Sequence, residues 1–158
     1  MQIILSKFLD KPATISCIRD DGSVTWQNYG KQGGFFPIHD LTHFIVETEL
    51  GYTYAFFGMI AKGRDLNDFG PGDSATFHPE AVWAEMLAGL LTAVEGRGSS
   101  LNYGEITETL DSKAHDAGIP PIALTEDQLL TIRKRIQEMA DVWEKLPAGE
   151  KLVIPFHE

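Results

Sequence analysis

Short stretches of alternating apolar and polar residues lie near the two ends of the chain, and helical spacing dominates the centre. Residues 3–8 are short and apolar, residues 14–18 are rich in β-branched side chains, and residues 24–26 resume the strand pattern. Gly22 lies where the chain must reverse, and glycine readily takes the positive φ that a tight turn needs. Residues 14–26 therefore predict a β-hairpin.

The C-terminal stretch 152–156 is again apolar, which predicts a last strand. Pro155 has no N–H to give to a neighbouring strand, so it favours a position at the edge of a sheet. The ends of the chain thus predict one small antiparallel sheet.

Helical patterns fill the region between these strands. Pro37 suits the first turn of a helix that runs to Leu50, where Gly51 can end it. Residues 52–61 continue in an apolar, helical style, and residues 62–78 then form a long loop, which in a compact domain is usually functional. Further helices are predicted at 79–95, at 103–117, and from the capping box of Thr125 and Gln128 to about Leu146.

These elements predict an α+β fold, in which a small antiparallel sheet from the N-terminal hairpin and the C-terminal strand packs against four to five helices. A length of 158 residues with 43% hydrophobic content suits a single domain with one core. We find no internal repeat or linker.

Charge narrows the classes of partner. The net charge is -10, which disfavours nucleic acid and anionic membrane surfaces, so an unidentified small molecule or protein is the expected partner. The single cysteine and the lack of an apolar core behind a basic leader predict a cytoplasmic protein without a secretory signal. The sequence gives no prediction of oligomeric state.

The candidate chemistry lies in His39-Asp40-Leu41-Thr42-His43, on the first predicted helix. Histidines at i and i+4 project from one helix face and can share a metal ion. Asp40 and Glu47 fall in the same wedge of the helix as the two histidines. Apolar residues border this wedge on both sides, so the helix is expected to be largely buried, and only Thr42 and Glu49 remain for a solvent face.

The carboxylates in this wedge are the candidate catalytic residues. Asp40 can act as a ligand, as a general base through a bound water, or as a partner that fixes an imidazole tautomer. Capping of the first helical turn is its competing role. His39 and Glu47 are eight residues apart, which is about 12 Å along a helix axis, so both can hardly bind the same ion. His43 can share an ion with either of them, but this helix alone cannot supply a full set of ligands.

Further metal ligands must therefore come from other parts of the chain. Glu85 lies on the small-residue side of the helix 79–95, where close approach to the histidine helix is feasible, and His78 lies at the start of that helix. Zinc is the favoured divalent metal for such residues. Surface or capping roles for Glu85 and His78 remain the competing interpretation.

Residues 37–63 resemble a group of small uncharacterised bacterial proteins with a similar Pro-x-His-Asp-Leu-x-His-Phe-x-Val-Glu segment. More remotely, His39-Asp40-x-x-His43 is similar to the metal-binding motif of the ubiquinone-biosynthesis scaffold family. That family places a glutamate twelve residues after its second histidine, and this chain has Ala55 there. The second resemblance implies a metal site; the first implies no particular activity.

Three interpretations follow from the sequence. A metal-binding protein, with metal-dependent hydrolysis as the expected reaction, would use His39 and His43 as ligands. A non-catalytic interaction domain would keep the same side chains as a buried hydrogen-bonded network. A ligand pocket without metal would combine them with nearby aromatic residues.

Overall fold

The two ends of the chain meet in a four-stranded antiparallel sheet with the order β3-β2-β1-β4. In the computed structural model, which describes residues 1–30, 35–69, 78–95 and 100–157, the strands are β1 (Gln2–Ser6), β2 (Thr14–Ile18), β3 (Val24–Asn28) and β4 (Lys151–Pro155). The hairpin of β2 and β3 turns at Gly22, where φ is 82°. Pro155 lies in the edge strand β4. The predicted hairpin, the sheet from both chain ends and the edge position of Pro155 are all confirmed.

Five α-helices complete the described fold: α1 (Phe36–Leu50), α2 (Phe56–Ala61), α3 (Pro79–Glu95), α4 (Tyr103–Ala117) and α5 (Glu126–Lys145). The α+β prediction is therefore confirmed. The capping box predicted at Thr125 and Gln128 begins α5. None of the described helices combines the length and the apolar character needed to cross a membrane.

The hydrophobic core lies on the inner face of the sheet. Strand register places Ile3 opposite Cys17 on one side and Ile154 on the other, and all three side chains are buried. Phe156 extends this layer and contacts the rings of Phe44 and Phe57. Leu41, Phe44 and Ile45, which are among the apolar residues of α1 outside the polar wedge, belong to this core.

Helix α1 packs against both α3 and α5, and is more fully enclosed than its sequence indicates. The prediction that Thr42 and Glu49 form a solvent face is wrong. Thr42 is fully buried and donates its hydroxyl proton to the carbonyl of Ile38. Glu49 forms an ion pair with Arg135 of α5, which covers that side of the helix.

The segment after α1 also differs from the prediction. Gly51 ends α1 in the left-handed conformation as predicted, but residues 52–55 turn before the short helix α2 begins. The predicted loop that follows contains a 3₁₀ turn at Leu66–Asp68, capped by Asp65. Its residues 70–77 lie outside the described part of the chain. The turn at 52–55 has a direct consequence for the site, because it brings the start of α2 back toward α1.

Gly58 makes the return of α2 feasible, since a Cβ there would overlap the backbone carbonyl of Thr53. We expect Gly58→Ala to lower the free energy of unfolding by about 1–3 kcal/mol, the usual cost of forcing extra volume into a packed site. Gly89→Ala is a matched control in α3, where the nearest atom to a new Cβ is Glu85 Oε1 at 3.9 Å.

The control should be neutral or raise stability by up to about 1 kcal/mol, because alanine favours a helix interior over glycine. Urea unfolding of both variants measures the difference. Equal stability of the two variants would contradict the close approach of α2 to residues 52–55.

Candidate metal centre

Helices α1 and α3 together form the site. Ala81 and Ala88 on α3 are buried small residues, which let the two helices approach closely. Glu85 lies on the same side and reaches both histidines of α1. The sequence-based prediction that Glu85 faces the histidine helix is confirmed.

His39, His43 and Glu85 form a group whose ligand atoms all lie within 4.8 Å of one another. Glu85 Oε2 lies 3.0 Å from His43 Nε2 and 3.9 Å from His39 Nε2. Ligands at about 2.1 Å from a tetrahedral zinc ion lie about 3.4 Å from each other. The two separations from Glu85 therefore lie on either side of that value, and small side-chain movements would bring the three ligand atoms to the spacing of a metal site.

The far nitrogen of each imidazole faces an oxygen atom. His39 Nδ1 lies 3.5 Å from Thr92 Oγ1, whose own proton goes to the carbonyl of Ala88 at 2.7 Å. His43 Nδ1 lies 3.6 Å from Glu47 Oε1. Both arrangements favour a proton on Nδ1. Nε2 of His39 is then free to bind a metal ion, whereas Nε2 of His43 donates a hydrogen bond to Glu85 Oε2, and a metal ion would displace that proton.

Glu47 is a fully buried carboxylate behind His43. Its Oε2 accepts hydrogen bonds from the backbone N–H of Phe57 at 2.9 Å and of Gly58 at 3.2 Å, where α2 begins. Its Oε1 and His43 Nδ1 have no hydrogen-bond partner within the described part of the chain. These two atoms face each other, so each is placed to satisfy the other once the ring shifts slightly.

The two histidines have opposite electrostatic environments. Burial lowers the pKa of His39 to about 4, assisted by the neighbouring charge of His43. Burial alone would also lower the pKa of His43, but the carboxylates of Glu47 and Glu85 outweigh it and raise that pKa to about 9. Burial raises the pKa of Glu47, and the hydrogen bond to His43 lowers that of Glu85. Without a bound metal, His43 is therefore the protonated histidine of the pair, and His39 is neutral.

Asp40 lies beside the group rather than in it. Its Oδ2 accepts a hydrogen bond of 2.7 Å from the hydroxyl of Tyr29, at the end of β3. Burial raises the pKa of Asp40 to about 6, partly offset by this hydrogen bond. Asp40 thus has the character of a buried acid or base, and its role is not helix capping.

A cavity of about 850 Å³ opens beside the group. Its described lining includes His39, His43 and Glu85 together with Asp40 and Tyr29. The Glu85 side chain is 67% exposed, so the group is accessible from the cavity while His43 is buried behind it. Small-molecule sites usually have volumes of about 300–1,000 Å³, and this cavity falls in that range.

The structure separates the remaining candidate ligands from this group. His78 is not part of it: the ring stacks on Tyr54 at 4.9 Å, and Nδ1 accepts from the N–H of Glu80. Glu47 contacts His43 from behind and does not join the ligand group, as the helix rise predicts. Tyr29 is a functional candidate that the sequence analysis missed. Side chains alternate between the two faces of a strand, so Tyr29 lies on the same face of β3 as the buried Thr25, and this alternation could have identified it.

No protein family, curated protein or solved structure gives a significant match to this chain. The interpretation of the site therefore rests on its own geometry.

Proposed function

We propose that the protein binds a divalent metal ion through His39, His43 and Glu85, and that the bound metal serves hydrolysis of a small molecule. One observation carries the proposal: three ligand atoms from two helices lie within 4.8 Å of one another at the wall of an open cavity. Exposed acidic clusters are common on protein surfaces, but two imidazoles with oriented Nε2 atoms are a more selective arrangement.

The donor set favours zinc. Two imidazole nitrogens and one carboxylate oxygen form the ligand set of several catalytic zinc sites, and three protein ligands leave a position for water. A metal in such a site supplies a bound water of lowered pKa. The His39-Asp40-x-x-His43 segment is similar to part of the motif of the ubiquinone-biosynthesis scaffold family, but the glutamate position of that motif is Ala55 here, so the proposal rests on the geometry of His39, His43 and Glu85.

Metal titration of the protein tests the binding step. The protein is purified without an affinity tag, stripped with a chelator and titrated with zinc against a chromogenic competitor. We expect one zinc per chain at submicromolar affinity. Failure to bind zinc, manganese or iron would refute the proposal.

Asp40 is the proposed general base or acid of the reaction, because it lines the same cavity and is held in place by the hydroxyl of Tyr29. We expect Asp40→Asn to retain its metal and to lose about 10²–10⁴-fold in the rate of ester or amide hydrolysis. Metal content and turnover are measured on the same preparation. An Asp40→Asn variant with full activity would remove Asp40 from the mechanism without affecting the metal site.

A structural network is the second candidate, and the raised pKa of His43 favours it. A protonated His43 between Glu47 and Glu85 would hold α1, α2 and α3 together without any metal. In that case the protein would remain metal-free and its thermal stability would not respond to added zinc. A metal that binds to this group would raise the melting temperature in a concentration-dependent way.

A further inference from the structure

The composition of the cavity points to a class of ligand. Beyond the polar group on α1 and α3, its described walls are mostly aromatic, aliphatic and thioether side chains, namely Phe36, Phe56, Met59, Leu66, Phe69, Val82 and Met86. Walls of this kind stabilise an apolar body by removing it from water.

The apolar wall begins directly beside the candidate metal ligands. The ring of Phe56 lies 5.3 Å from that of His43 and 4.7 Å from that of Phe69. A ligand whose polar group reaches the histidines must therefore place its adjoining atoms against aromatic rings. Rings and branched alkyl groups fit such a surface better than polar chains do.

Charge restricts the ligand further. Asp40 and Glu85 contribute acidic groups to the cavity, whereas none of its described lining residues is lysine or arginine. Arg64 lies outside the lining, over the ring of Phe69, and donates to the backbone carbonyl of Asp68. Among the described lining residues, the positive charge of His43 is already paired with Glu47 and Glu85. A phosphate or carboxylate in the body of the ligand would thus meet the carboxylates of Asp40 and Glu85 without a further cation from these residues.

We infer that the cavity takes a neutral organic molecule with an aromatic or branched apolar body. One part of this inference rests on the proposed function, namely that the ligand carries a hydrolysable oxygen group and that this group faces the metal. Esters and amides of aromatic or branched acids have this chemistry, whereas phosphorylated compounds and nucleotides do not.

Two fluorescent probes with the same ring system isolate the charge effect. N-phenyl-1-naphthylamine is neutral, and 8-anilinonaphthalene-1-sulfonate adds one sulfonate. With chelator-treated protein we expect the neutral probe to bind with a micromolar Kd and at least about tenfold more tightly than the anionic one. Equal affinities, preference for the anion, or no binding of the neutral probe would overturn the inference.

Two cavity variants and one surface control locate the site at which the probe binds. Val82→Trp fills the cavity and should weaken the binding of the neutral probe by at least about tenfold. Leu130→Trp adds the same side chain at a 57% exposed position of α5 and should leave the affinity for the probe unchanged.

Met86→Lys adds a cation to the wall of the cavity and should shift the ratio of the affinities for the two probes toward the anionic probe. This ratio does not depend on the fraction of folded protein, so it remains informative if Val82→Trp folds poorly. A probe that responds to neither cavity variant would be bound elsewhere, and the inference would fail.

The oxygen head group is tested in zinc-loaded protein with two hydroxamates. Benzohydroxamate should bind at least about tenfold more tightly than acetohydroxamate, because its phenyl ring is buried against the cavity wall. Equal affinities of the two hydroxamates would contradict an apolar wall beside the metal.

Failure of this inference is distinguishable from failure of the proposed function. A protein that takes no metal but prefers the neutral probe refutes the metal site and retains the cavity assignment. A protein that binds zinc at the histidines but shows no preference for the neutral probe retains the metal site and refutes the ligand class.

Discussion

Replacing His39 and His43 together by alanine should abolish stoichiometric metal binding. Each ring supplies one of three candidate ligand atoms, and a single carboxylate that is 67% exposed cannot hold zinc alone. Loss of a supporting partner of a metal ligand typically costs 10–100-fold in affinity, so loss of a direct ligand should cost more than about 100-fold. The measurement is zinc affinity by competition titration, and metal content after dialysis.

The matched control is His78→Ala with His115→Ala, which removes two exposed histidines and leaves the proposed ligands intact. It should bind zinc as the unaltered protein does. Zinc affinity that falls in the control and persists in the His39→Ala, His43→Ala variant would contradict the assignment. Circular dichroism of both variants establishes that the helices remain folded.

Glu47→Ala should be among the most destabilising substitutions in the chain. The carboxylate is fully buried, accepts two backbone N–H groups of α2 and faces His43. Its removal leaves these donors without an acceptor and a buried imidazole without its partner. Breaking a buried pair in this way costs about 3–5 kcal/mol. Urea unfolding measures this loss in the free energy of unfolding.

Glu138→Ala is the control for this prediction, because it removes an exposed carboxylate whose contact to Lys134 is a surface ion pair of 3.9 Å. It should change stability by less than about 1 kcal/mol. A Glu47→Ala variant as stable as this control would show that Glu47 does not hold α1 to α2.

Glu47→Gln separates stability from metal binding. The amide oxygen can still accept from Phe57 and Gly58, so most of the stability should remain. Its NH₂ group would then face His43 Nδ1 and favour the tautomer with the proton on Nε2, the atom proposed to bind metal. Zinc affinity should fall by about 10–100-fold. Retained zinc affinity in Glu47→Gln would contradict a tautomer-fixing role for Glu47.

The architecture of this protein could be predicted from its sequence because its signals are local. Gly22 in a turn, Pro155 at an edge and the capping box at Thr125 each follow from the chemistry of one or two residues. The approach of Glu85 to the histidines was also predictable, since small residues beside it indicated close helix packing.

Other parts of the site depend on contacts between distant segments, which periodicity does not report. Thr42 was assigned to solvent because the pattern of its own helix does not show which other elements pack around it. Residues 52–55 were predicted as helix from their apolar pattern alone. The turn that they form depends on the close approach of Gly58 to the backbone of Thr53, which no local pattern shows. The Tyr29–Asp40 hydrogen bond links a strand end to a helix and has no short-range motif. Burial and long-range pairing therefore had to come from the structure.

The most direct test of the metal site is an anomalous diffraction measurement at the zinc edge on crystals of zinc-loaded protein. The proposal predicts one strong peak per chain within about 2.0–2.2 Å of Nε2 of both His39 and His43 and of a carboxylate oxygen of Glu85. A peak at another position, or zinc-loaded crystals with no peak between these three side chains, would contradict the proposal.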